Sequence, residues 1–78
     1  MDLDELQQEL LKEICRRGGA TLQELRDHFV GVPSIVIGRD LQKMHDAGLV
    51  RMVRRSEWTA TRWEPTTEGI MARRSILA

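Results

Sequence analysis

The sequence predicts one mostly helical α+β domain with three helices, a two-stranded β-hairpin and a short C-terminal helix. Apolar residues recur at helical spacing through the first 47 residues, and a short arginine-rich stretch with strand-like alternation follows them. The length of 78 residues is that of one domain rather than two. With 41% hydrophobic and 31% charged residues, the composition is that of a globular protein and excludes a disordered chain.

The first helix is expected from about residue 2 to residue 17. Apolar residues mark one face of it at helical spacing: Leu3, Leu6, Leu10, Leu11 and Ile14. Asp2 and Glu5 have the three-residue spacing of a capping box, in which each side chain bonds the backbone of the other residue. Gly18-Gly19 then ends the helix, because glycine readily adopts the left-handed conformation of a C-terminal cap.

A second helix is expected over about residues 21–29. Thr21 and Glu24 form a Thr-x-x-Glu capping box at its start. Its apolar face is expected to consist of Leu22, Leu25 and Phe29. Gly31 ends it and supplies the conformational freedom of a tight turn.

A third helix is expected over about residues 33–47. Pro33 suits the first turn of a helix, where its missing N–H costs nothing. The positions expected to face the core are Val32, Ile37, Leu41 and Met44. Ala47-Gly48 closes this helix.

A β-hairpin, or wing, is expected over about residues 49–65, with strands near 49–55 and 60–64. Pro65 cannot donate to a strand ladder, so the return strand should end there or lie at a sheet edge. The last helix is expected over about residues 67–77. Its candidate packing residues are Ile70, Met71 and Leu77.

The two tryptophans have different expected roles. Trp58 falls near the tip of the hairpin, where it either packs against its own hairpin or stacks on a sugar or a partner. Trp63 falls on the return strand and is expected to belong to the core.

The charges are distributed unevenly, although the formal net charge is zero. Residues 1–30 hold four basic and seven acidic side chains, whereas residues 31–78 hold eight basic and five acidic ones. Such a division suits a protein that turns one face toward a polyanion. Cys15 is the only cysteine, which excludes an intrachain disulfide and favours a reducing compartment. No apolar run of membrane-spanning length and no signal-peptide pattern is present, so a cytoplasmic location is expected.

The sequence contains no pattern typical of an enzyme or a metal site. Cys15, His28 and His45 match no zinc-binding spacing, and no phosphate-binding glycine loop or nucleophile elbow occurs. We therefore expect neither catalysis nor a cofactor.

Two segments resemble the winged helix-turn-helix transcription regulators, particularly the MarR- and ArsR-type repressors. The first follows the pattern of their recognition helix: Gly31-Val32-x-x-x-x-Ile37-x-Arg39-x-Leu41-x-x-Met44-x-x-x-Gly48-Leu49-Val50. The second, Trp63-Glu64-Pro65-Thr66-Thr67-Glu68-Gly69, is similar to the aromatic-x-Leu-Thr-x-x-Gly segment that follows their wing. Pro65 stands where those proteins have leucine.

The resemblance implies a small regulator, prokaryotic or from a phage, that binds double-stranded DNA. The third helix would enter the major groove and the hairpin would lie on the backbone. The expected DNA-binding residues are Ser34, Ile35, Val36, Arg39, Gln42 and Lys43 on the helix and Arg51, Arg54, Arg55 and Arg62 on the hairpin. Arg39 would pair with guanine and Gln42 with adenine, while the hairpin arginines would bind phosphates or a narrow minor groove. A dimer is expected through the first and last helices, as in the resembling repressors.

Simpler interpretations of the same residues remain open. The polar residues of the third helix would also suit a solvated face, with Arg39 paired to an acid such as Asp46 or Glu64. The hairpin arginines would also protect a sheet edge against pairing with another chain. Ile35 and Val36 stand at positions that are usually polar in base-reading helices, and exposed branched side chains often mark a protein interface.

A second resemblance supports that alternative of a protein-interaction module without DNA binding. The segments Gly18–Leu22 and His28-Phe29 are similar to the small iron-transport accessory family FeoC. That family carries cysteines in its wing, whereas this chain has none there, so an iron–sulfur version is not supported.

Overall fold

The structure, a computed structural model, describes residues 3–77. The elements in chain order are α1 (Glu5–Arg17), β1 (Ala20–Thr21), α2 (Leu22–His28), α3 (Ser34–Asp46), β2 (Val50–Val53), β3 (Arg62–Pro65) and α4 (Thr67–Leu77). The domain is α+β and mostly helical, as predicted, with four helices and one antiparallel sheet. None of the helices in the described part of the chain is long and apolar enough to cross a bilayer.

The sheet has three strands in the order β1-β3-β2, so the predicted hairpin is present as β2 and β3, and the prediction lacked one strand. The added strand is β1, which pairs Ala20 with Trp63 and Thr21 with Arg62. A strand of two residues is too short to show the alternation that identifies strands in a sequence. β3 ends at Pro65, which pairs with Val50 on β2. β1 pairs only with Arg62 and Trp63 of β3, so it does not extend to Pro65. The proline therefore stands at the end of the central strand and not at a sheet edge.

The core is formed around α1, which contacts α3, α4 and β3. Its buried apolar residues come from every helix except α4 and from the ends of the strands: Leu10, Leu11, Ile14, Ala20, Leu25, Ile37, Leu41, Met44, Leu49 and Val50. Trp63 packs against this cluster while remaining partly exposed, in agreement with its predicted role. Leu22, predicted to lie on the buried face of the second helix, is instead 36% exposed.

Two capping boxes start α1 and α2. At α1, the Asp4 carboxylate accepts the Gln7 backbone N–H at 2.8 Å, and the Gln7 amide oxygen accepts the Asp4 N–H at 3.3 Å. The capping box predicted at Asp2 and Glu5 was therefore misplaced by two residues, and Asp2 itself lies outside the described residues. The box predicted at Thr21 is confirmed, because its hydroxyl accepts the Glu24 N–H at 3.1 Å.

The segment after β3 joins α4 to the end of the loop that precedes β2. The Thr66 hydroxyl donates to the Gly48 carbonyl at 2.6 Å and accepts the Gly69 N–H at 3.0 Å, and the Thr66 N–H donates to the Leu49 carbonyl. A Cβ atom on Gly69 would overlap that carbonyl of Leu49, so only glycine allows this approach. The two residues therefore seat the start of α4 on the chain before β2.

Two of the three packing residues predicted for α4 are exposed. Ile70 and Met71 are 38% and 60% exposed, and the Leu77 side chain lies outside the described residues. Ala72 and Ile76 pack against the core in their place. Because Gly69 lies against the Leu49 carbonyl, α4 buries the helix face that contains Gly69, Ala72 and Ile76.

Glu13 is a buried carboxylate that ties the end of α1 to the end of α2. It is 6% exposed and accepts hydrogen bonds from Arg16, at 2.5 and 2.9 Å, and from Arg17. His28 on α2 approaches it to 3.6 Å. The Arg16 hydrogen bonds lower the pKa of Glu13 from 4.5 to about 2, with Arg17 and His28 contributing in the same direction and burial opposing them.

We predict opposite effects of adding a methyl group at the two helical glycines, Gly69 and Gly38. Gly69→Ala should lower the free energy of unfolding by about 2 kcal/mol, because the new Cβ would overlap the Leu49 carbonyl. Gly38→Ala, on α3, is the matched control with open space at its Cβ position. It should raise stability by about 0.5–1 kcal/mol through helix propensity. Urea denaturation of both variants checks this, and equal effects at the two sites would contradict it.

We also predict that Glu13 makes the protein sensitive to acid. A carboxylate with a lowered pKa stabilises the fold fully above pH 4.5, and that contribution is lost as the pH falls toward about 2. Glu13→Gln should cost about 1–2 kcal/mol at pH 7, a reduced value because the Arg16 side chain is 62% exposed. Urea denaturation at pH 7 and pH 2.5 should show the difference from wild type shrinking at the lower pH.

The control for this prediction is Glu9→Gln. Glu9 forms an exposed ion pair with Lys12 on the same helix, at 3.2 Å. Its loss should change stability by less than about 0.5 kcal/mol at either pH. A constant deficit of the Glu13 variant across the pH range would contradict the assignment of the lowered pKa to this carboxylate.

Candidate nucleic-acid interface

α3 buries one face and presents the other to solvent. Its buried residues are Ile37, Asp40, Leu41 and Met44. The outward residues predicted to touch DNA are exposed at Ser34, Ile35, Arg39, Gln42 and Lys43 and half-buried at Val36. Pro33 at the N-cap offers no side-chain hydrogen bond, so the first backbone N–H groups of α3 lack a side-chain acceptor. Such a helix start can accept an anion.

The polar side chains of α3 differ in the ion pairs and hydrogen bonds that they form with neighbouring residues. The guanidinium of Arg39 is 62% exposed, and its only carboxylate neighbour in the described residues is Asp40, at 3.8 Å. Arg39 thus has an acidic neighbour, as the simpler interpretation expected, although that neighbour is Asp40 rather than Asp46 or Glu64. Asp46 instead accepts a hydrogen bond from the Gln42 amide at 3.0 Å. Within residues 3–77, Lys43 forms no ion pair or hydrogen bond through its side chain.

His45 indicates on which side of α3 the hairpin lies. Its ring meets that of Trp63 on β3 edge to face, with centroids 6.3 Å apart. Around the axis of α3, the direction of Lys43 differs from that of His45 by about 160°, so the two side chains point to opposite sides of the helix. The direction of Gln42 differs from that of His45 by only about 60°. The sheet thus flanks α3 on the side of Gln42, and Lys43 lies on the side turned away from it.

Two of the four hairpin arginines are held by the fold. Arg51 pairs across the strands with Glu64, at 3.2 Å, with its side chain 65% exposed. Arg62 donates to the Gly19 carbonyl at 2.9 Å and lies 3.6 Å from the Glu24 carboxylate. Both stand on the sheet face opposite Val50, which belongs to the core. Arg62, predicted as a DNA contact, is therefore engaged in joining β3 to the start of α2.

The other two arginines stand where the hairpin turns. Arg54 donates to the backbone carbonyls of Ser56, at 3.3 Å, and Glu57, at 2.9 Å, so part of its hydrogen-bonding capacity is used to shape the turn. Arg55 is exposed and has no ion pair with any carboxylate of the described chain. Trp58 is 94% exposed, which contradicts the expectation that it packs against its own hairpin.

The net positive charge belongs to the hairpin rather than to α3. On α3 the two basic residues, Arg39 and Lys43, are matched by Asp40 and Asp46. The hairpin segment 50–65 holds four arginines and two glutamates.

Two features of residues 3–77 bear on metal binding and on thiol reactivity. No group of three or more His, Cys, Asp and Glu side chains there is arranged to hold a metal ion. Burial raises the pKa of the Cys15 thiol, and the nearby positive charge of Arg73 only partly offsets this. The thiol is therefore less ready to ionise than an exposed one.

Comparison with protein-family models, with curated proteins and with solved structures finds no match to this chain.

We predict that Arg62 contributes to stability, whereas Arg51 does not. Arg62→Ala removes the hydrogen bond to the Gly19 carbonyl and should lower the free energy of unfolding by about 1 kcal/mol. Arg51→Ala, which removes a cross-strand pair with a mostly exposed guanidinium, should change it by less than about 0.5 kcal/mol. Urea denaturation compares the two variants, and an equal or larger loss from Arg51→Ala would contradict the role given to Arg62.

Proposed function

We propose that this chain is a winged helix-turn-helix protein that binds double-stranded DNA and serves as a small transcriptional regulator in the cytoplasm. Support comes from the chain order: α2 and α3 are joined by the short segment 29–33 and followed by a β-hairpin. In such proteins the second of the two helices enters the major groove. The wing is then the hairpin of β2 and β3.

One observation carries the proposal. The exposed face of α3 presents Arg39 and Gln42, with Lys43 on the side turned away from the sheet, while the hairpin presents Arg55 without a carboxylate neighbour among the described residues. A base-reading helix beside a cationic loop combines sequence recognition with the electrostatic attraction that supplies most nonspecific affinity.

Eight of the ten predicted contacts have a specific role in this proposal. Arg39 pairs with guanine, and Gln42 reads adenine after its amide exchanges the Asp46 carboxylate for the base. The Ser34 hydroxyl and the backbone N–H groups at the uncapped start of α3 donate hydrogen bonds to a phosphate, while Ile35 contacts a thymine methyl group. The charges of Arg51, Arg54, Arg55 and Arg62 contribute to the field that attracts the backbone, and Arg55 makes the direct phosphate contact.

We further propose that two copies bind together, because one such module covers only about 600–1,000 Å² at the DNA surface. α4 supplies the apolar part of the dimer surface through its outward residues Ile70 and Met71. The free side of α1 carries Glu5, Glu9 and Lys12, which suit the polar rim of such a contact.

A second candidate function, a protein-interaction module without DNA binding, is favoured by the apolar residues around the turn before α3. Val30 and Ile35 are 85% and 80% exposed. An exposed aliphatic side chain in the turn before α3 and another in its first turn suit a protein partner as well as thymine methyl groups. The experiment below separates the two functions.

We predict salt-dependent binding to duplex DNA of mixed sequence, measured by fluorescence anisotropy of a labelled duplex. Affinity should fall steeply with added salt, because bound arginines release counterions from the phosphates. Arg55→Ala should reduce the slope of log affinity against log salt by about one. Arg39→Ala should weaken binding to a selected sequence by about 1–3 kcal/mol. The stoichiometry of the complex should be two chains per site.

Arg26→Ala is the control, since it removes an equal charge from an exposed position on α2 that is assigned neither to DNA contact nor to the dimer surface. It should leave the salt slope unchanged. Absence of binding at low salt would contradict the DNA proposal. Loss of a nuclease-resistant protein partner in Ile35→Glu, with no effect of Arg55→Ala on anything measured, would favour the second function.

A further inference from the structure

The tip of the hairpin presents one large aromatic side chain to solvent. Trp58 is 94% exposed, although tryptophan is the side chain that gains most from being covered. Exposed turns normally carry small or polar residues. The neighbouring residues follow that rule, since the sequence continues through Ser56, Thr59, Ala60 and Thr61. Trp58 is therefore an isolated apolar group on a polar turn.

The turn around this tryptophan is held by its own hydrogen bonds. The Arg54 guanidinium donates to the Ser56 and Glu57 carbonyls, at 3.3 and 2.9 Å. The Ser56 hydroxyl lies 2.7 Å from that of Thr59 and accepts the Trp58 N–H at 3.3 Å. A side chain presented from a turn that is already ordered loses less entropy when it binds. The ordered turn therefore suits the binding of a ligand by the Trp58 ring.

The surroundings of Trp58 indicate the chemistry of the partner. Residues 50–61 hold three arginines and a single acidic residue, Glu57. A lipid surface is normally bound through several apolar side chains together, and a protein hot spot is normally ringed by further packed contacts. A single ring beside guanidinium groups matches a nucleobase with phosphates on either side.

We propose that Trp58 stacks on a nucleobase where duplex DNA is unstacked, so that the preferred ligand of the hairpin is a duplex with an unpaired base. This inference rests on the proposed DNA binding and names the feature of the DNA that the hairpin recognises. In an intact duplex each base is covered on both faces, so an inserted side chain must first separate a base step. An unpaired base removes that cost.

The test compares two labelled duplexes of identical sequence, one of which has a single unpaired adenine. Wild-type protein should bind the bulged duplex about tenfold more tightly, in line with stacking of one base on an aromatic ring. Trp58→Ala should bind both duplexes equally, and Trp58→Phe should retain part of the preference. Met52→Ala, which removes another exposed apolar residue of the hairpin, is the matched control and should keep the full preference.

A spectroscopic measurement reports the stacking directly. The chain has two tryptophans, so Trp63→Phe leaves Trp58 as the only tryptophan fluorophore. Its emission should be quenched by the bulged duplex and protected from acrylamide. Because Trp63 packs against the core, the variant is first checked by circular dichroism. If it does not fold, 2-aminopurine at the unpaired position reports the same contact with wild-type protein.

The outcomes separate this inference from the proposed function. Equal binding of both duplexes by wild type, or an undiminished preference in Trp58→Ala, overturns the inference and leaves DNA binding intact. Failure to bind either duplex at low salt contradicts the proposed function itself. Vesicles of mixed phosphatidylcholine and phosphatidylserine complete the test. Binding to them that depends on Trp58, without discrimination between the duplexes, assigns the residue to a membrane surface and overturns the inference.

Discussion

The burial of α1 between α3, α4 and the sheet is the constraint on which the rest of this structure depends. Leu10, Leu11 and Ile14 have no exposed surface, and each element of the candidate interface packs directly or indirectly on the helix that carries them. A domain of 78 residues has few core side chains, so one central helix must serve several neighbours. As a result, α3 and β3 are positioned against the same apolar surface.

The same economy divides the charged residues between structure and recognition. Glu13 and Glu24 gather the cations near the ends of α1 and β3, including Arg17 and Arg62. Among the cations with no ion pair in the described chain, Arg54 and Arg55 stand at the hairpin turn and Lys43 on α3, whereas Arg26 lies on α2 and Arg73 and Arg74 lie on α4. A zero net charge is compatible with a locally positive surface, because seven of the twelve carboxylates lie in residues 1–30. Some of these carboxylates pair with arginines in the same part of the chain.

Local patterns predicted the helices well and the details of their ends less well. Two aspartates near the start each have a polar partner three residues later, Asp2 with Glu5 and Asp4 with Gln7, so spacing alone did not choose between them. β1 was missed because two residues show no period. The resemblance marked the segment that ends in Gly69, but only packing explains the glycine, which lies against the Leu49 carbonyl.

The sequence alone determined the number and order of the helices and the position of the hairpin, because helical periodicity, caps and turn residues act over a few positions. The set of ten candidate contacts was what the resemblance to winged helix-turn-helix regulators implied. Tertiary structure decided which of those contacts are available. Arg62 lies beside Gly19, which is 43 residues away in sequence, and Arg51 lies beside Glu64. Such pairs depend on strand register and chain crossing, which no short-range pattern encodes.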